Sequence, residues 1–198
     1  MSGIISDNTL RQSGLIKASA GGAWTFLAKS TASSSSTLSF TSGIDDTYGT
    51  YVFTFNNMHP STSAKFQFNM SVDTGSNYNV TKTATCYLAY HHENGTGADM
   101  GYNTSHDLAQ STGFQTIAAT TVADADASCS GYLYLFDPSS TTFLKHYMSV
   151  SNRMDDATTN QMFISGYGNT TSAVDAIQFK FHTGDMDAGD ICLYGITT

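Results

Sequence analysis

His91-His92-Glu93, Asp99 and His106-Asp107 set imidazoles and carboxylates close together in one polar stretch. Residues of these types can ligate a transition metal when they converge and are oriented by hydrogen-bonding neighbours. Adjacent residues of an extended chain point to opposite sides, so at most one of His91 and His92 can join the others. The alternative is a solvated polar loop, and no metal is expected. Asp185-Met186-Asp187-Ala188-Gly189-Asp190 has the look of a calcium loop. An EF-hand, however, needs glycine at its sixth position and glutamate at its twelfth. Counted from Asp185, the fifth residue is Gly189 and the twelfth is Ile196. That spacing suits a hairpin turn, with a loose calcium site as the alternative.

Catalytic patterns are missing from the chain. Asp45-Asp46 and Asp155-Asp156 are carboxylate pairs, but glycoside hydrolysis needs two carboxylates at a defined separation, which adjacency does not supply. The sequence holds no nucleophile elbow, phosphate loop or dinucleotide-binding glycine pattern. We therefore assign no catalytic residue and no cofactor, and the chain reads as a non-enzyme. His146 and His182 read as β-face histidines. Cys86, Cys129 and Cys192 lack metal or redox spacing and read as buried thiols, a Cys86–Cys192 disulfide being the alternative. Tyr48, Tyr78, Tyr102 and Tyr167 fall in or near polar segments, as do His91 and His92. These are candidates for glycan stacking or subunit contact, set against ordinary loop packing.

The elements that must position these groups are strands. Alternating apolar residues recur at Tyr51-Phe53-Phe55, Phe66-Phe68-Met70-Val72 and Ala84-Cys86-Leu88-Tyr90, the period of a half-buried strand. Trp24 to Ala28 and Leu38 to Phe40 open the domain. Further strands are expected over 115–122, 129–136, 143–150 and 161–166. Ile177-Phe179-Phe181 and Ile191-Leu193 flank the Asp185 segment and predict a closing hairpin. His91 to Thr112 shows no hydrophobic period and reads as one long loop. Residues 152–160 hold at most one helical turn. About ten strands result, which predicts an all-β fold: an antiparallel, jelly-roll-like β-sandwich.

Composition agrees with that class. The 198 residues are 40% hydrophobic, enough for a core, yet only 12% charged, about half the usual share. Glu93 is the sole glutamate among 16 acidic residues, and aspartate favours turns where glutamate favours helices. A net charge of −8 with scattered basic residues argues against nucleic-acid partners. No apolar run is long enough for membrane insertion, and Met1 to Lys17 lacks the pattern of a secretory signal. The Asn-x-Ser/Thr sequons at Asn69, Asn79, Asn94, Asn103 and Asn169 are read as incidental. Residues 1–22 read as an extended docking arm with Ile4, Ile5, Leu10, Leu15 and Ile16 as its apolar contacts, a frayed terminus being the alternative, and residues 23–198 as a single domain.

Four segments carry a resemblance. Ser6-Asp7-Asn8 with Ser13-Gly14-Leu15-Ile16-Lys17-Ala18, then Leu38 to Asp45, then Tyr51-x-Phe53-x-Phe55, and the ending Gly189 to Ile196 resemble virion-associated proteins of tailed bacteriophages, marine ones in particular. The resemblance covers both termini and the first third of the chain and is faint from His91 to Asn160. It implies a β-sandwich module on the virion exterior, as a capsid decoration protein or a tail or fibre component. It also implies a homotrimer that contacts other virion proteins. It transfers no catalytic residue. The alternative functions are a receptor- or carbohydrate-binding module for host surface glycans and, from another class, a glycan hydrolase.

Overall fold

The computed structural model describes residues 24–197. The predicted arm and its contacts Ile4, Ile5, Leu10, Leu15 and Ile16 lie outside the described residues. Thirteen strands follow one another: β1 (Trp24–Thr31), β2 (Leu38–Phe40), β3 (Thr50–Pro60), β4 (Ala64–Ser71), β5 (Lys82–His92), β6 (Ala98–Tyr102), β7 (Leu108–Ser111), β8 (Gln115–Thr121), β9 (Cys129–Phe136), β10 (Lys145–Asp155), β11 (Thr158–Gly168), β12 (Ala176–Phe181) and β13 (Met186–Ile196). All pairings are antiparallel. The fold is the expected β-sandwich.

The large sheet runs β1-β13-β3-β9-β10-β11-β5-β6, with β7 also on β5, and the small sheet runs β2-β12-β4-β8. Four pairs are nested in the chain: β1 with β13, β2 with β12, β3 with β9, and β4 with β8. This is one long antiparallel ribbon rolled so that successive pairs alternate between sheets, which defines a jelly roll. Two insertions widen the large sheet. Strands β5 to β7 enter between β4 and β8, and the β10–β11 hairpin enters between β9 and β12.

Period-two alternation drives the packing. Phe53 and Phe55 of β3, Phe66 and Phe68 of β4, and Phe179 and Phe181 of β12 are buried between the sheets. Phe179 sits among Phe53 at 5.4 Å, Phe66 at 5.9 Å and Phe40 at 6.3 Å, centroid to centroid. Phe68 meets Tyr147 of β10 edge-on at 5.1 Å. Such offset and perpendicular geometries put the positive edge of one ring on the negative face of the next.

Several expectations need correction. Residues 177–181 and 191–193 do not form a hairpin: β12 pairs with β2 and β4 in the small sheet, whereas β13 pairs with β1 and β3 in the large one. The connection His182 to Asp185 crosses between layers, so His182 is not in a strand. Asp187 to Asp190 belong to β13 rather than to a turn, and β13 bulges there against β3. Gly189 takes φ of +117°, and a β-carbon on it would meet the Asn57 carbonyl oxygen at 2.7 Å, so the bulge requires glycine. The supposed loop from His91 to Thr112 contains the end of β5 and all of β6 and β7. Every residue of β6 is exposed, so no face is buried and no hydrophobic period can arise. Residues 152–160 hold no helical turn. Strands β10 and β11 meet at Asp156-Ala157, where Asp156 adopts φ of +50°.

Candidate functional surface

The sequence-derived candidates do not come together. Tyr48 is half-buried, packed edge-on against Tyr51 at 5.8 Å. Tyr78 is half-buried, and its backbone carbonyl accepts from Asn69 Nδ2 at 2.6 Å. Both serve local packing. His91 and His92 do point apart, as an extended chain requires. His91 is exposed, while the half-buried His92 ring lies 5.4 Å from Tyr90 and its Nδ1 is 2.8 Å from Thr158 Oγ1. His106 is buried. Among the described residues no three His, Cys, Asp or Glu side chains converge on a metal position. In the Asp185 segment, Asp190 accepts from Thr31 Oγ1 at 2.6 Å and pairs with Lys29 Nζ at 2.9 Å. Hydrogen bonds from these two partners hold its carboxyl below the usual carboxylate range. Asp187 instead accepts from Ser34. The two aspartates therefore brace β13 against β1 and the turn that follows it. Cys86, Cys129 and Cys192 are all free thiols, which decides against the Cys86–Cys192 disulfide.

Tyr102 and Tyr167 have different surroundings. Tyr102 is 50% exposed, donates to Asp107 Oδ2 at 2.7 Å and lies edge-on to Tyr87 at 5.8 Å. Tyr167 is half-buried on β11, with the His146 ring of β10 at 6.3 Å. Both side chains project from the outer face of the large sheet, away from the small one. That face is the dominant surface feature of the molecule.

Two cross-strand rows build it. The first runs Phe26–Tyr194–Val52–Tyr134–Met148 across β1, β13, β3, β9 and β10. The second runs Tyr132–Val150–Phe163–Tyr87–Tyr102 across β9, β10, β11, β5 and β6. Trp24 caps the first row, 5.5 Å from Tyr194 and 6.2 Å from Tyr134. Of ten large apolar side chains left exposed among the described residues, eight stand on this face; Val72 and Phe143 are elsewhere. An antiparallel sheet with one solvated face normally turns polar residues outward, so this concentration is a departure from pattern.

Where the rows meet, Tyr87, Met100, Met148, Val150 and Phe163 wall a shallow groove of about 330 Å³. Its polar lining is sparse. The Thr85 hydroxyl is already donated to the Ser165 carbonyl oxygen at 3.3 Å, and the Ser149 hydroxyl to the Tyr132 carbonyl oxygen at 2.8 Å. The outward positions of β9, β10, β11 and β5 carry no Asp, Glu, Lys or Arg. The arrangement suits apolar burial without charge pairing. Sequence reading missed this surface because strand alternation shows that two faces exist but not that both are apolar. The outward run Tyr132, Tyr134, Phe136 was the available signal.

No family model matches the chain, and no curated protein or solved structure matches it either.

Proposed function

We propose that this chain is a non-enzymatic structural protein of the exterior of a bacteriophage particle, a rigid block that acts by making contacts. The observation that carries the reading is the aromatic outer face of the large sheet, whose β9, β10, β11 and β5 turn no Asp, Glu, Lys or Arg outward. Exposed apolar surface of this extent marks a protein contact in a soluble fold. The resemblance of the four sequence segments to virion-associated proteins supplies the setting: capsid decoration, or a tail or fibre component. Other virion proteins, and copies of itself as a homotrimer, are the partners that resemblance implies. The segment 1–22 would dock the block to the particle.

A carbohydrate-binding role fits the groove less well. Sugars need several hydrogen-bond partners beside the stacking ring, and in this largely apolar groove the Thr85 and Ser149 hydroxyl hydrogens are already given to backbone carbonyls.

The test is detection of the chain on purified particles of the phage that encodes it. Antibody against the recombinant protein should gold-label intact virions, and a variant lacking residues 1–22 should fold yet fail to be incorporated. Absence of the chain from purified virions would refute the virion reading. Polysaccharide turnover abolished by a single Asp→Asn substitution would refute the non-enzymatic one.

A further inference from the structure

We infer that the outer face of the large sheet is covered by a second copy of this chain, packed through the groove bounded by Tyr87, Met148 and Phe163. The inference rests on the contact-making role proposed above and names the surface through which two copies pair.

Charge selects the occupant. The protein carries a net charge of −8, so two copies approaching through acidic surface repel one another. The outward positions of β9, β10, β11 and β5 bear no acidic or basic side chain, so two such faces meet without burying an unpaired charge. The outer side of the small sheet, by contrast, presents Lys65 and Lys180. Charge begins at the rims, where Lys29 and Asp190 neutralise each other at 2.9 Å beside β1 and the Asp107 carboxylate accepts from Tyr102 at 2.7 Å beside β6.

Size agrees. The whole eight-strand face, its charged rims included, measures roughly 900 Å² at about 4.8 Å strand spacing and about 3.3 Å rise over about seven residues, and the four uncharged strands are about half of it. A stable interface takes about 800 Å² from each partner. The large apolar side chains concentrate there: Phe163 is 45% exposed, Met148 and Tyr87 each 52%, and Met100 74%. Aromatic and methionine side chains are the types enriched at the centres of protein interfaces.

Sedimentation and light scattering of the full-length protein over a hundredfold concentration range test this. The wild-type mass should be twice 21.2 kDa, or a higher even multiple where copies also assemble through other surfaces, because two like faces close on each other. Met148→Asp with Phe163→Asp should weaken association at least a hundredfold. Tyr87→Ser, a milder change, should weaken it about tenfold with an unchanged melting curve. Phe143→Asp is the control, since Phe143 is 68% exposed but lies off this face, and its mass should match the wild type. A wild-type protein that stays monomeric throughout, or an assembly indifferent to both sets of face variants, overturns the inference. Virion labelling is read separately, so loss of self-association would leave the proposed setting standing, and loss of labelling would leave the self-contact standing.

Discussion

Lys82 Nζ donates to Asn69 Oδ1 in the interior of the sandwich, and both residues are fully buried. The same ammonium donates to the Val80 carbonyl oxygen at 2.7 Å. Asn69 gives its amide hydrogens to the Tyr78 and Thr112 carbonyl oxygens at 2.6 and 3.0 Å. One asparagine thus ties β4 to the start of β5 and, through the Tyr78 and Thr112 carbonyls, to two connections. The sequon at Asn69 is accordingly core, closed to glycosylation.

Asn69→Leu should be among the most damaging single substitutions in the domain. It removes a buried acceptor of the Lys82 amine and the donors to two part-buried carbonyls, a combination that costs about 2–4 kcal/mol. Urea unfolding measures it. A loss under 1 kcal/mol would mean that water or a rearranged side chain takes over both roles.

Lys82 should make stability depend on pH. Burial lowers its pKa from 10.5 to about 7. Between those values the unfolded chain holds a proton that the folded one has released, so unfolding free energy rises with pH from about 7 to 10.5. Below about 7 both states are charged and the full cost of a buried ammonium is felt. Lys82→Met should therefore stabilise the protein more at pH 6.5 than at pH 9.5. Equal gains at the two values would show that the hydrogen bonds to Asn69 and Val80 offset the desolvation.

The thiols should divide by accessibility. Burial pushes Cys86 up to about 11 and Cys129 up to about 12, so neither forms thiolate near neutral pH. Cys192 is only half-buried. Ellman titration of the native protein should find no more than one reactive thiol, and three after unfolding without reductant. Fewer than three would reveal a disulfide.

Phe179→Ala should cost about 3–5 kcal/mol, because Phe179 fills the space between rings from both sheets. Phe143→Ala, at an exposed site, should stay within about 0.5 kcal/mol. Comparable losses for the two would place Phe143 in packing of equal weight.

Legibility in the sequence followed burial on one face. Tyr51-Phe53-Phe55 and Phe66-Phe68 announced their strands because large aromatic side chains recur at every second position and form the row that meets the core. β6 was invisible, since all five of its residues are exposed and none faces the core, so no apolar alternation marks it. The Tyr48, Tyr78, His91 and His92 candidates were chosen for residue type, yet their environments differ for reasons set by distant chain. Thr158, for example, meets His92 from 66 positions away.

What the sequence by itself determined is the class. Period-two patterning, aspartate in place of glutamate and a scarcity of charge leave little besides antiparallel strands. The tertiary structure alone decided which sheet each strand joins, because alternation records that a face is buried but not against what. For that reason β12 and β13, adjacent in the chain, could be read as a hairpin while lying in different layers. The same limit hid the outer face. Tyr194, Tyr134, Met148, Phe163 and Tyr87 are scattered over more than a hundred residues, and only the pairing register lines them up on one surface.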